Sequence, residues 1–210
     1  MQHYSLDCPI CQSFSRRLFQ KEQFWIWKCR SCGHQFLDLE TTAHHAEIVY
    51  GDDYFNGGGA GYPGYLRDAD LVRGRDHLKL DVRTGSFEQF HAQEQYDLVT
   101  MVQVIPHFWD LAQALQSAEK LTASGGYWLV ETWNRESKLA KFFGENWHEY
   151  SPPSVLRWFA PEDLGVLAEQ YGFEEVDRGR PQKWISGAHV KSLVGHKLPP
   201  WESYDMPVHC

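Results

Sequence analysis

Four of the five cysteines stand in two C-x2-C pairs, Cys8-Pro9-Ile10-Cys11 and Cys29-Arg30-Ser31-Cys32, seventeen residues apart. Two thiols on one tight turn, facing two on another, make a closed tetrahedral site for zinc. Four sulfur ligands leave no coordination position for a substrate, so the expected role of Cys8, Cys11, Cys29 and Cys32 is structural. Gly33 directly after the second pair suits a tight knuckle. The rival reading is a pair of redox C-x-x-C motifs, but neither pair lies in the strand-helix setting of a thioredoxin-like site. Cys210 is left over as an idle thiol.

The elements around this module belong to a folded chain of 210 residues, 42% hydrophobic, with nine tryptophans. A net charge of −8 argues against nucleic acid as a partner, which calls for clustered Lys and Arg. The cysteine module itself is nearly balanced, with five Lys or Arg against four Asp or Glu in residues 1–40. No apolar run reaches the about 18 residues of a membrane span, and MQHYSLDCPICQS has no apolar signal region. The expected compartment is the cytoplasm, where thiols stay reduced and paired cysteines suggest metal before disulfide.

Phe24–Lys28 is aromatic and strand-like, with Gln35-Phe36-Leu37 pairing nearby. From residue 66 the chain alternates. Leu66–His77 reads as a short helix and Leu78–Val82 as a strand. Tyr96–Val104 is a near-continuous apolar strand, as expected when both faces are buried. Trp109–Leu121 is an amphipathic helix, Ser124-Gly125-Gly126 a turn and Tyr127–Thr132 a further strand. Ser137–Phe143 and Pro161–Tyr171 read as helices, the second capped by Gly172, and Phe173–Arg178 with Lys183–His189 as an antiparallel pair. The expected organisation is a zinc ribbon over 1–40, a connector over 41–65, an α/β domain over 66–190 and a tail over 191–210.

CPIC…CRSCG, then YGDDYF with a glycine run, then YDLVTMVQVIPHFWDLAQAL, LTASGGYWLVETWN and SPPSVLRWFAPEDLGVLAEQYGFEEV, together resemble the class I S-adenosylmethionine-dependent methyltransferases. The resemblance is to the branch that carries a zinc-binding ribbon, which includes relatives of the sugar C-methyltransferases. It implies a Rossmann-like sheet, S-adenosylmethionine as methyl donor beside structural zinc, and a donor site at the carboxyl edge of the strands. On that resemblance Tyr54 belongs to an aromatic segment folding over the donor, and Asp81, with Val82, ends the third strand near the adenine. His107 lies at the same edge as a candidate general base. Glu131, Trp133, Asn134 and the loop Trp147–Tyr150 are further candidates for the pocket wall. A hydrogen-bonded structural histidine is the equally plain reading of His107, and Trp158-Phe159 reads as core.

Asp81 precedes Asp97 by 16 positions. That is too short for the two strand-helix units, of roughly 30 residues each, that separate the family's glycine turn from its fourth strand. HLKLDVRTG is therefore a third strand rather than a cofactor turn. The run Gly57-Gly58-Gly59-Ala60-Gly61 has no apolar strand before it and reads as a linker. The glycine-rich donor-binding segment is accordingly expected to be missing and the sheet shortened. Two functions stay open: a methyltransferase with a structural zinc ribbon, or a non-catalytic zinc-ribbon binding or scaffold protein derived from one. A second copy supplying the missing surface would make a homodimer. The acceptor, small molecule or protein, is not readable.

Overall fold

The computed structural model describes residues 5–39, 45, 49, 85–91 and 93–181. The chain divides into two compact units, 1–175 and 176–210. Of the second, residues 176–181 are described; they are exposed and form no regular element.

The first unit begins with a hairpin, β1 (Ser15–Lys21) and β2 (Phe24–Cys29), joined through Glu22 at φ 53°. Ser15↔Cys29 and Arg16↔Lys28 are opposed in register, and a bulge follows between Arg17 and Phe19. The Arg17 guanidinium lies 4.7 Å from the Trp25 ring centroid, a cation–π contact on the outer face. β3 (Gln35–Leu37) adds antiparallel to β2, as expected from its aromatic pattern. The fourth strand was not legible: β6 (Arg157–Trp158) pairs with β3 through Gln35↔Trp158 and Phe36↔Arg157. The cysteine module thus shares one sheet with a segment about 120 residues downstream.

The second sheet is a parallel pair, β4 (Tyr96–Val102) and β5 (Thr122–Glu131), connected by helix α1 (Leu111–Leu121). Asp110 caps α1 by accepting from the Gln113 N–H at 3.0 Å, the bond an N-cap Asp is chosen for. α1 buries Leu111, Ala114, Leu115, Ala118 and Leu121 against Val99 and Met101 of β4. The expected Ser124-Gly125-Gly126 turn is instead part of β5, where the register steps from Tyr96↔Thr122 to Leu98↔Tyr127. Gly125 takes φ +79°, and a Cβ on Gly126 would come within 2.9 Å of Thr122 Cγ2 and 3.0 Å of the Asp97 carbonyl oxygen. Both positions need glycine. Burial on both faces of β4 is corrected: Val99 and Met101 are covered, whereas Leu98 and Val102, with Tyr127 and Leu129 of β5, are exposed. Among the described residues the parallel sheet has two strands, and the fold is mixed α/β.

α2 (Lys138–Phe143) is capped by Ser137, whose Oγ accepts from the Ala140 N–H at 3.1 Å. α3 (Pro161–Glu169) ends short of Gly172, which sits at φ +80°. Phe173–Arg178 is not a strand: its run of acids is exposed, and Phe173 instead stacks on Trp128 at 4.0 Å. Its expected partner, Lys183–His189, lies outside the described residues.

Among the described residues two apolar clusters hold the unit together. One joins Cys8, Ile10 and Cys29 to Met101, Ile105, Leu115, Phe159 and Leu167, so the cysteine turns pack into the same core as α1 and β4. The other gathers Phe19, Ile26 and Leu37 with Trp147, Tyr150 and Trp158. Trp158 and Phe159 are core, as the sequence suggested.

Candidate functional site

The four cysteines of the two pairs converge, their sulfurs all within 4.8 Å of one another. Sγ–Sγ distances are 3.6 Å for Cys8–Cys32, 3.4 Å for Cys11–Cys29 and 3.5 Å for Cys11–Cys32. A tetrahedron with zinc–sulfur bonds of about 2.3 Å has edges of about 3.8 Å, so the donor set fits such an ion with little movement. Backbone N–H groups turn toward the sulfurs, Ile10 to Cys8 at 3.4 Å and Ser31 to Cys29 at 3.3 Å. Gly33 takes φ +75°, which closes the second turn. Burial pushes the Cys8 thiol up to about 11 and lifts Cys32 further. At Cys11 burial acts the same way but is outweighed by hydrogen bonds from Ser13, Cys29 and Cys32, which bring it down to about 6. Packed thiols of this kind stabilise one shared thiolate; four thiolates require a cation.

The second turn is tied to the rest of the unit by buried charge. His34 is fully buried, and its Nδ1 lies 3.1 Å from Asp163 Oδ2. Asp163 also accepts from Arg135 Nε at 3.3 Å, from Arg135 NH2 at 3.2 Å and from the Ala160 N–H at 2.9 Å. Burial lowers the His34 pKa. On Asp163 burial works upward, but the His34 hydrogen bond and the Ala160 and Arg135 neighbours prevail and hold the carboxyl below its usual range. The charged pair is therefore Asp163 with Arg135, and neutral His34 donates to it. Arg135 lies four positions past the end of β5, and its N–H donates to the Phe159 carbonyl at 2.9 Å.

The carboxyl ends of β4 and β5 form a second focus. β4 is followed by Gln103, held at φ 56°, a conformation rare for a residue with a side chain. Its backbone N–H donates to the Glu131 carbonyl at 2.8 Å and its Nε2 donates to Glu131 Oε1 at 2.9 Å. Thr132 Oγ1, next along, is buried without a hydrogen-bond partner among the described residues. Trp133 meets the His148 ring edge-on at 5.6 Å, and His148 Nε2 lies 2.6 Å from Glu149 Oε1.

His107 closes the turn Ile105–His107 that follows β4. Its Nδ1 is 2.6 Å from the Ser154 carbonyl oxygen, which can only accept, so the Nε2 carries the lone pair. Burial lowers its pKa, against the Ser154 bond and the Glu149 charge, and it is neutral at pH 7. The turn is clamped further by the Leu156 N–H on the Pro106 carbonyl and by Arg157 NH1 on the Phe108 carbonyl at 2.5 Å.

The structure thus assembles Cys8, Cys11, Cys29 and Cys32, and places His107 after β4, Glu131 at the end of β5 and Trp133 and Asn134 just beyond it. Tyr54, Asp81 and Val82 lie outside the described residues, as do the glycine run and the Leu78–Val82 strand. Sequence reasoning missed Gln103, His34, Arg135 and Asp163. Asp163 had a local signal, an acid three residues into a helix that opens APED. The other three had none.

Among known proteins, the family model described as a methyltransferase domain matches residues 33–177. Similar curated proteins include the ubiquinone biosynthesis O-methyltransferases of Ruegeria sp. (strain TM1040) and Dinoroseobacter shibae. They are 29% and 30% identical over 154 residues, covering 70% of this chain and 59% of each relative. The enzyme of that name from Psychrobacter arcticus is 23% identical over 206 residues, with 81% of this chain and 74% of the relative covered. The chain therefore spans about three fifths of the length of the first two relatives. A family match over more than half of the chain, on a segment that folds as a parallel strand-helix-strand unit, has one meaning: this chain belongs to the methyltransferase domain family.

Proposed function

We infer that this protein is an S-adenosylmethionine-dependent methyltransferase of the class I fold with a structural zinc ribbon. The observation that carries the reading is the parallel β4–α1–β5 unit, with Gln103, Glu131 and Thr132 gathered at its carboxyl edge, inside a chain that matches the methyltransferase domain. A buried hydroxyl without a partner among the described residues and a strained glutamine at that edge fit a polar ligand there. Bound donor supplies a sulfonium methyl group for attack by a nucleophile. The chain's own part is to hold the acceptor in line, a matter of positioning. His107, neutral with its lone pair on Nε2, has the protonation state of a general base. The relatives' names make hydroxyl oxygen the first class of acceptor to assay. Zinc at Cys8, Cys11, Cys29 and Cys32 holds the ribbon and takes no part in the transfer. Tyr54, Asp81 and Val82 complete the donor site on this reading. On this reading the chain is organised as a ribbon over 1–40, a connector over 41–65, an α/β domain over 66–190 and a tail over 191–210, within a cytoplasmic protein.

A second reading, a non-catalytic zinc-ribbon scaffold derived from a methyltransferase, is favoured by the clamping of His107 between Ser154 and its flanking hydrogen bonds. Calorimetric titration of the zinc-loaded chain with S-adenosylmethionine separates the two. Binding, with radiolabelled methyl transfer to a phenolic or sugar hydroxyl, supports the first. No heat at millimolar donor sinks it.

A further inference from the structure

A hollow of about 520 Å³ opens beside the second cysteine turn. Arg16 of β1, Lys28 of β2 and Arg30 line it, together with Ser31 and the turn at Cys32-Gly33, and no carboxylate among the described residues does. None of the three cations takes part in an ion pair among the described residues, in a chain whose net charge is −8. Arg16 and Lys28 are direct cross-strand partners. Like charges placed opposite one another weaken a strand pair, and an acid at either position would relieve the conflict. Local choices that oppose stability while lining a cavity are expected where a ligand resolves them.

We propose that this hollow binds the phosphate group of a phosphorylated small molecule. Guanidinium groups match phosphate oxygens in bidentate geometry, and an ammonium adds a compact point charge. The Ser31 hydroxyl is a further donor at the rim. The volume is that of an ordinary small-ligand pocket. The near balance of charge over residues 1–40 does not show the feature, because the acids need not share its face: Asp7 lines a separate depression beside Phe36 and Leu37. The alternative duty of the three cations is to offset the charge of a metal tetrathiolate, whose Cys29 and Cys32 also line the hollow.

The test is calorimetric titration of the full, zinc-loaded chain with inorganic pyrophosphate at low salt, with no methyl donor present. The outcome is thus independent of whether the methyltransferase reading stands. The expected Kd is on the order of 0.1 mM, as for a few charge-assisted contacts to a small anion. Arg16→Gln, Lys28→Gln and Arg30→Gln should each weaken binding about tenfold while zinc content stays at the parent level. Lys21→Gln is the control, since Lys21 Nζ donates to the Glu145 carbonyl away from the hollow; its affinity should be unchanged. No binding at about 10 mM pyrophosphate overturns the proposal. So do variants that bind like the parent, variants whose one change is loss of zinc, and a chain that takes a single-stranded oligonucleotide but not pyrophosphate.

Discussion

Asp163→Ala is the most informative substitution in this protein. The carboxylate is buried, with 3% of its side chain exposed, and it receives His34, Arg135 and the α3 cap N–H. Its removal leaves the Arg135 guanidinium, itself 5% exposed, with Glu136 as its remaining ion-pair partner among the described residues, and Glu136 is half exposed and screened. Breaking a buried pair from one side costs about 3–5 kcal/mol. The orphaned His34 N–H and cap N–H overlap with that figure instead of adding to it, since all belong to one network. A loss of ~4 kcal/mol corresponds to a fall in Tm of roughly 8–16 °C for a chain of this size. Thermal denaturation followed by circular dichroism at pH 7 reads it directly. Arg135→Met on top of Asp163→Ala should recover a good part of the loss, because the uncompensated charge is then gone. The pH dependence has a fixed sign. A carboxyl held below its ordinary value contributes stability that is fully present above about pH 4 and lost as pH falls through the depressed value. A fall in Tm below about 2 °C, or a double variant no better than the single, would refute a buried charge network here.

Zinc removal should be equally plain: mass spectrometry is expected to find one zinc per chain, and a chelator should release it, expose four reactive thiols and melt the β1–β3 sheet. His107, whose pKa burial lowers, takes up its proton more readily in the unfolded chain, so its contribution to stability declines as pH falls below about 6.5. His107→Gln should flatten that part of the Tm–pH curve. Gly126→Ala should destabilise by about 2 kcal/mol in urea titration, because its methyl group meets backbone oxygens that cannot retreat. Glu131→Gln should weaken S-adenosylmethionine binding at least tenfold with Tm within about 2 °C of the parent, and unchanged affinity would remove Glu131 from the donor site.

What the sequence determined by itself were the features with a local physical cause. The C-x2-C turns follow from the geometry of two thiols on one knuckle. Helix α1 follows from apolar residues at helical spacing with Asp110 as cap, and α2 from the Ser137 cap. Strands β2, β4 and β5 show as apolar and aromatic runs. Tertiary structure decided the rest. Two residues suffice for β6 because β3 supplies its hydrogen bonds, and no propensity marks a strand that short. Gln103 holds a left-handed backbone because Glu131, 28 positions later, bonds both its main chain and its side chain. His34 reads as a surface residue beside a knuckle until Asp163, 129 positions away, draws it into the core. Arg16 and Lys28 look like ordinary strand-surface cations until the hairpin register sets them face to face. In each case the energy lies in a pairing between distant parts of the chain, and a linear pattern carries no record of which distant residue will arrive.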